Sequence, residues 1–282
     1  MSPSTPKTVL ITGCSAGSIG SALAEDFHER GLHVFATART PSKMSHLEKL
    51  PNVTLLELDV ESAASVQAAV EVVTAQTGGK LDYLVNNAGL AHIRPVLDSD
   101  LEEAKRVFDV NFWGVARVTQ AFAPLMITSK GMIINICSLA ATMPLPWCAF
   151  YASSKAALKS YGETLRLEMT PLGVKVMTVM AGAIGTNIFA NYSPPPLPEN
   201  SLFKAASKEI HLVESRGVVE NCTPVSLFAK GVVDDVLGGS SGLTWRGKLA
   251  SITWAATSFL PAWIMDLLII SSSGLRRISR AP

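Results

Sequence analysis

Lys7-Thr-Val-Leu-Ile-Thr12, then Gly13-Cys-Ser-Ala-Gly17-Ser-Ile-Gly20, then an amphipathic run from Ser21 to Arg30, is the stretch that decides the fold. The first six residues read as a short strand buried on both faces. Ala22, Leu23 and Phe27 then recur on one side of a helix that Gly31 closes. A glycine triplet alone marks no more than a tight turn. Set between a strand and a helix, it brings backbone N–H groups and a helix N-terminus up to a pyrophosphate, which marks a nucleotide site.

Working outward, strands are expected at 32–38, 53–58, 81–85, 132–137 and 174–180, and helices at 62–77, 101–128 and 151–170. That alternation predicts one α/β domain over residues 1–248, a Rossmann-type doubly wound parallel sheet with helices on both faces. Residues 249–282 form a helical apolar C-terminal extension. No internal repeat appears, and the proline-rich stretch 193–198 reads as a stiff surface loop.

Twenty-four Lys and Arg against 23 Asp and Glu give a net charge of +1, which offers nucleic acid no general attraction. Cys14, Cys137, Cys148 and Cys222 form no Cys-x-x-Cys pair and have no partnering histidine cluster, so neither a disulfide framework nor a metal site is expected. Asn-x-Ser/Thr triplets begin at Asn52, Asn191 and Asn221, but the first strand starts too near Met1 for a signal peptide. The expectation is a cytoplasmic, unglycosylated protein that is not secreted.

The hydrophobic share, 48%, is high and directs attention to the C-terminus, where residues 249–270 carry one charge, Asp266. A window of ~20 apolar residues is long enough to span a bilayer. Pro261 and Asp266 interrupt it, and an aspartate near the midplane costs about 2.5–3.5 kcal/mol. Pro261 suits the first position of a second short helix. Three readings stay open: a helical pair lying on a membrane surface, such as endoplasmic reticulum or lipid droplets; burial against the domain body or a dimer partner; and a true span. Arg276, Arg277 and Arg280 just beyond suit anionic headgroups.

The chemistry concentrates in Tyr151-Ala-Ser-Ser-Lys155, with Ser138 upstream at the end of an apolar run. A phenol and an amine one helical turn apart share a face. A nearby ammonium favours phenolate over phenol, so the tyrosine pKa is expected to fall towards neutrality. Such a group transfers protons to a carbonyl or from an alcohol.

In order along residues 7 to 190, the chain resembles the short-chain dehydrogenase/reductase family. Thr12-Gly13-x-x-x-Gly17-x-x-Gly20 resembles its cofactor loop, Asp59-Val60 its adenine-contacting pair, and Asn86-Asn87-Ala88-Gly89 its stretch after the fourth strand. Asn111, Ser138, Tyr151 and Lys155 match its four catalytic positions. Two departures stand out. One extra residue sits between Gly17 and Gly20, and Ala181-Gly182 replaces the common Pro-Gly, which is expected to loosen a turn.

The resemblance implies an NADP(H) site made by Gly13, Ser15, Gly17, Ile19, Gly20, Arg39, Asp59, Val60, Asn87, Ala88, Gly89, Tyr151, Lys155, Gly182, Ile184 and Thr186. An acid at the end of the second strand would bind the ribose hydroxyls and repel a 2′-phosphate. Here Thr37-Ala38-Arg39 offers a guanidinium fork instead, so NADPH and the reductive direction are expected. The implied roles are Tyr151 as proton donor, Ser138 as hydrogen-bond partner of the substrate oxygen, and Lys155 as the ammonium that lowers the tyrosine pKa and bonds the nicotinamide ribose. Asn111 would hold a water leading to solvent, and Thr186 would sit beside the carboxamide.

The substrate is expected to be a lipophilic ketone. Residues 187–225 fall where the family places its substrate lid, and Trp147, Phe150, Phe189 and Tyr192 either line an apolar pocket or belong to the core. Ile11-Thr-Gly-Cys-Ser15, Gly31-Leu-His-Val-Phe-Ala-Thr-Ala-Arg39 and Trp245-Arg-Gly247 resemble the fungal NADPH-dependent 1-acyldihydroxyacetone-phosphate reductase branch. An acyl-dihydroxyacetone phosphate is therefore the first substrate expectation, with Arg166, Lys204 and Arg216 as cations for a phosphate. A tailoring ketoreductase for a polyketide, terpenoid or alkaloid ketone is the rival. A non-redox NADP(H)-binding protein is a third, from a different class. The resemblance also implies a homodimer or homotetramer through helices 101–128 and 151–170.

Overall fold

The computed structural model describes residues 6–188, 192, 195–214 and 222–278. Phe189, Asn191, Arg216, Asn221 and Arg280, named above, lie outside the described residues.

The chain opens with β1 (Thr8–Thr12), α1 (Ile19–Glu29), β2 (His33–Ala38), β3 (Val53–Glu57), α2 (Ala63–Thr77) and β4 (Tyr83–Asn86). After α3 (Leu101–Phe108) and a π-helical segment, Asp109–Gly114, come α4 (Val115–Ser129), β5 (Met132–Ile136), α5 (Ala149–Met169) and β6 (Lys175–Ala181). Two-residue strands β7 (Ile184–Gly185) and β8 (Thr223–Pro224) flank α6 (Ser207–Glu214). Then come α7 (Val225–Leu237), β9 (Gly242–Arg246), α8 (Ala250–Phe259) and α9 (Ala262–Ser272).

Seven of these strands form one parallel sheet in the order β3-β2-β1-β4-β5-β6-β9. Parallel strands covered by helices on both faces need apolar residues on both. Val9 and Ile11 enter the core with Phe27, Val34 and Phe228, while Leu10 between them enters the opposite core with Phe35, Phe122 and Met126. This is the Rossmann-type architecture expected from the alternation, and the C-terminal ends of β1, β4 and β5 meet at the site described below.

Three local outcomes differ from expectation. The first helix begins at Ile19 because Ser18 caps it: the Ser18 hydroxyl accepts from the Ser21 N–H at 3.0 Å and donates to the Gly13 carbonyl at 2.9 Å. The helix expected at 101–128 is broken by the π segment. The seventh strand, β9, has no counterpart in the expectation, because four half-buried residues from Gly242 and an exposed Arg246 carry no clear periodic signal.

Candidate active site

The glycine loop is pinned to the end of β4 by Thr12. Its hydroxyl accepts the N–H groups of Asn87 at 2.9 Å and Ala88 at 3.0 Å. The Asn87 amide returns two bonds, to the carbonyls of Thr12 at 2.8 Å and Gly13 at 3.1 Å. On the other side, the Cys14 N–H donates to Thr37 O at 2.9 Å. Three strand ends are thus locked together without charge. Gly20 has to be glycine: a Cβ there would stand 2.5 Å from Gly13 O and 2.6 Å from Asn87 Nδ2.

The extra residue of the loop is the helix cap itself. Ser18 accounts for the Ser21 and Ala22 N–H groups, through its hydroxyl and its carbonyl. The N–H groups of Ile19 and Gly20, first in the helix, have no intrahelical acceptor. Gly17 at φ +73 and Gly13 at φ +77 let the loop turn tightly ahead of those donors, and the Asn187 amide lies against Gly17. Such an anion cradle fits a dinucleotide pyrophosphate.

The catalytic constellation assembles around the π segment. Asn111 is fully buried and clamped by the backbone of Leu90: its Oδ1 accepts from Leu90 N at 2.8 Å, and its Nδ2 donates to Leu90 O at 3.0 Å. The same Nδ2 donates to Ser154 Oγ at 3.0 Å, and Ser154 donates to Tyr151 O at 2.7 Å. The amide therefore ties the β4 loop to the first turn of α5. Gly89 lies against both groups: a Cβ there would be 3.2 Å from Asn111 Oδ1 and 3.6 Å from Lys155 Nζ.

Lys155 is buried, and its ammonium donates to Ile136 O at 3.1 Å. Desolvation lowers its pKa. Ser138, just after β5, shares a hydrogen bond with Tyr151. That bond lowers the phenol pKa, but burial outweighs it and pushes Tyr151 up to about 12. The expected fall towards neutrality is corrected in this chain by itself, because Lys155 is turned to a strand carbonyl and the dominant effect is desolvation. The phenol is held in its protonated form.

A family model described as short chain dehydrogenase matches residues 7–196. "Short-chain dehydrogenase ptmH" of Penicillium ochrochloron is 47% identical over 271 residues, covering 95% of this chain and 98% of that one. This chain belongs to the short-chain dehydrogenase family. The NADPH-dependent 1-acyldihydroxyacetone phosphate reductase of Schizosaccharomyces pombe is 41% identical over 236 residues, 82% of this chain and 79% of that one. Among solved structures, a short chain dehydrogenase from Burkholderia cenocepacia in complex with NADP superposes with a TM-score of 0.74 at 26% identity, covering 94% of this chain and 98% of that one. One from Streptomyces avermitilis reaches 0.79 at 25% identity, covering 94% and 97%.

In this short-chain dehydrogenase the remaining predicted positions scatter around the same end of the sheet. Asp59 is half-buried, its Oδ1 accepting from Glu61 N at 3.0 Å, and Val60 is buried with its carbonyl bonded by Arg117 at 2.6 Å. Arg39 is exposed and loosely paired with Glu61 at 3.6 Å, which Arg106 shares at 3.7 Å. Ser15 is half-buried, with its carbonyl on the Ser18 N–H. Ile184 and Thr186 are buried, and the Asn187 N–H reaches Gly17 O at 3.4 Å, bringing the start of the lid segment onto the glycine loop.

The turn at Ala181-Gly182 is not loosened. Gly182 donates to Arg246 O at 2.9 Å and Ala183 to Lys248 O at 3.0 Å, and a Cβ on Gly182 would strike Lys248 O. The unanticipated β9 is what secures it.

The substrate side decides several readings that the sequence left open. Trp147 is core: it packs with Ile93, Phe203, Ala206 and Ile210, and its Nε1 donates to Ser273 O at 3.1 Å. The proline-rich stretch is tethered, with the buried Arg94 guanidinium donating to the carbonyls of Pro195 and Pro196, the latter at 2.8 Å. Arg166 sits fifteen residues beyond Tyr151 on α5, about 22 Å along the axis, and pairs with Glu163 at 3.5 Å. It is not a substrate cation. Lys204 is exposed. Thr12 stood in the cofactor-loop motif without an assigned role, and Ser154, Arg94 and Glu61 carry no signal in the sequence beyond ordinary polarity.

No helix among the described residues is long and apolar enough to cross a membrane. Nor is α9 buried against the domain body: none of its residues is buried, although Ser273 meets Trp147 and Arg277 pairs with Glu209 at 2.8 Å just beyond it. Pro261 is the residue before the first helical position of α9, one earlier than expected.

Proposed function

We propose that the protein reduces a ketone on a lipophilic substrate to a secondary alcohol with NADPH, Tyr151 giving the proton. The observation that carries this is the half-buried Tyr151 hydrogen-bonded to Ser138, with buried Lys155 and Asn111 converging on Gly89 beside the glycine loop. The NADP bound to the Burkholderia relative and the NADPH named for the yeast relative support the cofactor. The bound cofactor supplies hydride. Tyr151 keeps its proton at working pH and releases it to the carbonyl oxygen, which Ser138 steadies by a hydrogen bond. Lys155, one helical turn from Tyr151 and buried with its ammonium on Ile136 O, would stabilise the phenolate that remains once the ammonium turns from that carbonyl. Asn111, bonded to Leu90 and Ser154, holds the π turn in place. A π turn shifts the helical hydrogen-bond register by one and frees a backbone carbonyl there for water.

The loop residues Gly13, Ser15, Gly17, Ile19 and Gly20 would hold the pyrophosphate; Asp59 and Val60 the adenine; Asn87 to Gly89 the ribose side. Gly182, Ile184 and Thr186 would meet the carboxamide, and Arg39 the 2′-phosphate. Purified protein given NADPH and a panel of ketones should consume NADPH with at least one of them, and Tyr151→Phe should stop turnover while NADPH still binds. If cofactor binds and no ketone accelerates its consumption, the reading fails.

For the substrate, the yeast relative's name supports an acyl-dihydroxyacetone phosphate. A neutral tailoring-type ketone is favoured by the rings of Phe150 and Tyr192 that pack on His92 next to Tyr151. The exposed apolar residues Ile252, Phe259, Trp263, Leu267 and Leu268 on α8 and α9, followed by Arg276, support peripheral contact with an anionic membrane surface. Vesicles containing phosphatidylserine should sediment the protein, and Trp263→Ser with Leu267→Ser and Leu268→Ser should release it. Exposed Leu101, Trp113, Ile127 and Leu167 on α3 to α5 support a homo-oligomer, which light scattering would read directly.

A further inference from the structure

The segment from Gly89 to Arg94 runs from the Asn111–Lys155 pair to the lid. In its middle stands His92, 1% exposed, with neither ring nitrogen hydrogen-bonded. Native structures rarely leave a buried imidazole with both nitrogens unpaired, because each forfeits its hydration without return. The ring is walled by two aromatics that belong to the site. Phe150, the residue before Tyr151, meets it edge-on with centroids 5.6 Å apart, and Tyr192 lies tilted at 6.2 Å. The charged neighbours are Glu103 and Arg94. They act in opposite directions, and burial lowers the imidazole pKa, so the ring is neutral at working pH. A neutral imidazole offers one donor and one acceptor.

We propose that His92 reads a second oxygen on the substrate, a hydroxyl or carbonyl set a few bonds from the reacting ketone on an otherwise apolar ligand. A hydroxyl pairs with whichever nitrogen it meets, accepting from the N–H or donating to the bare nitrogen as the tautomer requires, and needs no cation. The ligand replaces Tyr192 against the ring. That displacement gives up one hydrogen bond, from Tyr192 Oη to Ile93 O at 3.2 Å, and satisfies an imidazole that otherwise has none. The inference rests on the ketone-reductase reading and narrows its substrate to an oxygenated, uncharged lipophilic ketone.

The test uses the full chain carrying Tyr151→Phe, which holds NADPH and ketone without turning them over. Calorimetry compares α-tetralone with its positional hydroxy isomers. At least one hydroxy isomer should bind roughly tenfold or more tighter than α-tetralone, as expected when a site is built to pair a substrate hydroxyl. Adding His92→Phe should erase that preference and leave α-tetralone and NADPH within about twofold of their starting affinities. Adding His92→Gln, which keeps a donor and an acceptor, should restore part of it. A preference that survives His92→Phe overturns the proposal, as does the absence of any hydroxyl-dependent gain, or a parallel loss of all three affinities. Turnover of the same ketones by protein with Tyr151 intact is read separately. His92-dependent binding without reduction would defeat the reductase reading and leave the role of His92 standing.

Discussion

Glu61→Gln should tighten NADPH and leave NADH alone. Arg39 Nη1 lies 3.6 Å from one oxygen of Glu61 and Arg106 Nε 3.7 Å from the other, so one carboxylate holds two guanidiniums on the side where a 2′-phosphate would arrive. These pairs are too long for hydrogen bonds, and the phosphate would compete for the same cations. A phosphate engaged by Arg39 from its free side stands about 6 Å from the carboxylate, where each like-charge pair costs about 0.7 kcal/mol in a water-like dielectric. A dianion doubles that, and ionic screening over about 8 Å roughly halves it again. The net penalty, about 0.7 kcal/mol, is about threefold in Kd. Fluorescence titration of reduced cofactor should therefore show NADPH binding about threefold tighter in Glu61→Gln, with the gain shrinking as salt is added. Arg39→Ala should do the reverse, weakening NADPH far more than NADH. Equal shifts for the two cofactors, or weaker NADPH binding in Glu61→Gln, would refute the electrostatic reasoning and recast Glu61 as the group that organises Arg39.

Other outcomes follow from burial and capping. With its phenol pushed up to about 12, Tyr151 should contribute no phenolate absorbance below about pH 10 when the free protein is titrated against Tyr151→Phe. A step near neutrality would show that Lys155 governs it after all. Cys14 has its thiol raised from 9.0 to about 12 by burial. The folded state therefore favours its proton, and that stability, complete below about pH 9, is lost as pH rises through about 12. Urea midpoints should fall over this window, and Cys14→Ala should flatten the fall; identical slopes would contradict it. Ser18→Ala removes the α1 cap and should cost about 1 kcal/mol by denaturant unfolding. It also frees one acceptor position on Gly13 O, so NADPH affinity should drop with it, whereas unchanged affinity would separate the cap from the cradle.

Much of the architecture was legible because its causes are local. Residues 7–12 are apolar without a break, Ala22, Leu23 and Phe27 keep helical spacing, and glycines close the elements, so strand, turn and helix can be read within a few residues of one another. The π turn was not, since Asn111 breaks the helix through bonds to Leu90 and Ser154, twenty-one and forty-three positions away. The strand β9 was missed for a similar reason: its pairing with β6 is decided by Met177 to Ala181, not by its own five residues. Trp147 could be read from the sequence as pocket lining or core, and only Ile93, Phe203 and Ser273, distant in the chain, decide for the core.

By itself the sequence determined which groups could do chemistry, and the spacing of Tyr151 and Lys155 put phenol and amine on one helical face. The tertiary structure decided their state. Proton affinity depends on what surrounds a group in space, and Ile136, Ser138 and the walls of the site come from other strands and turns. That is why Lys155 points at a carbonyl, why Tyr151 keeps its proton, and why His92, unremarkable in the chain, is left sealed and unpaired beside them.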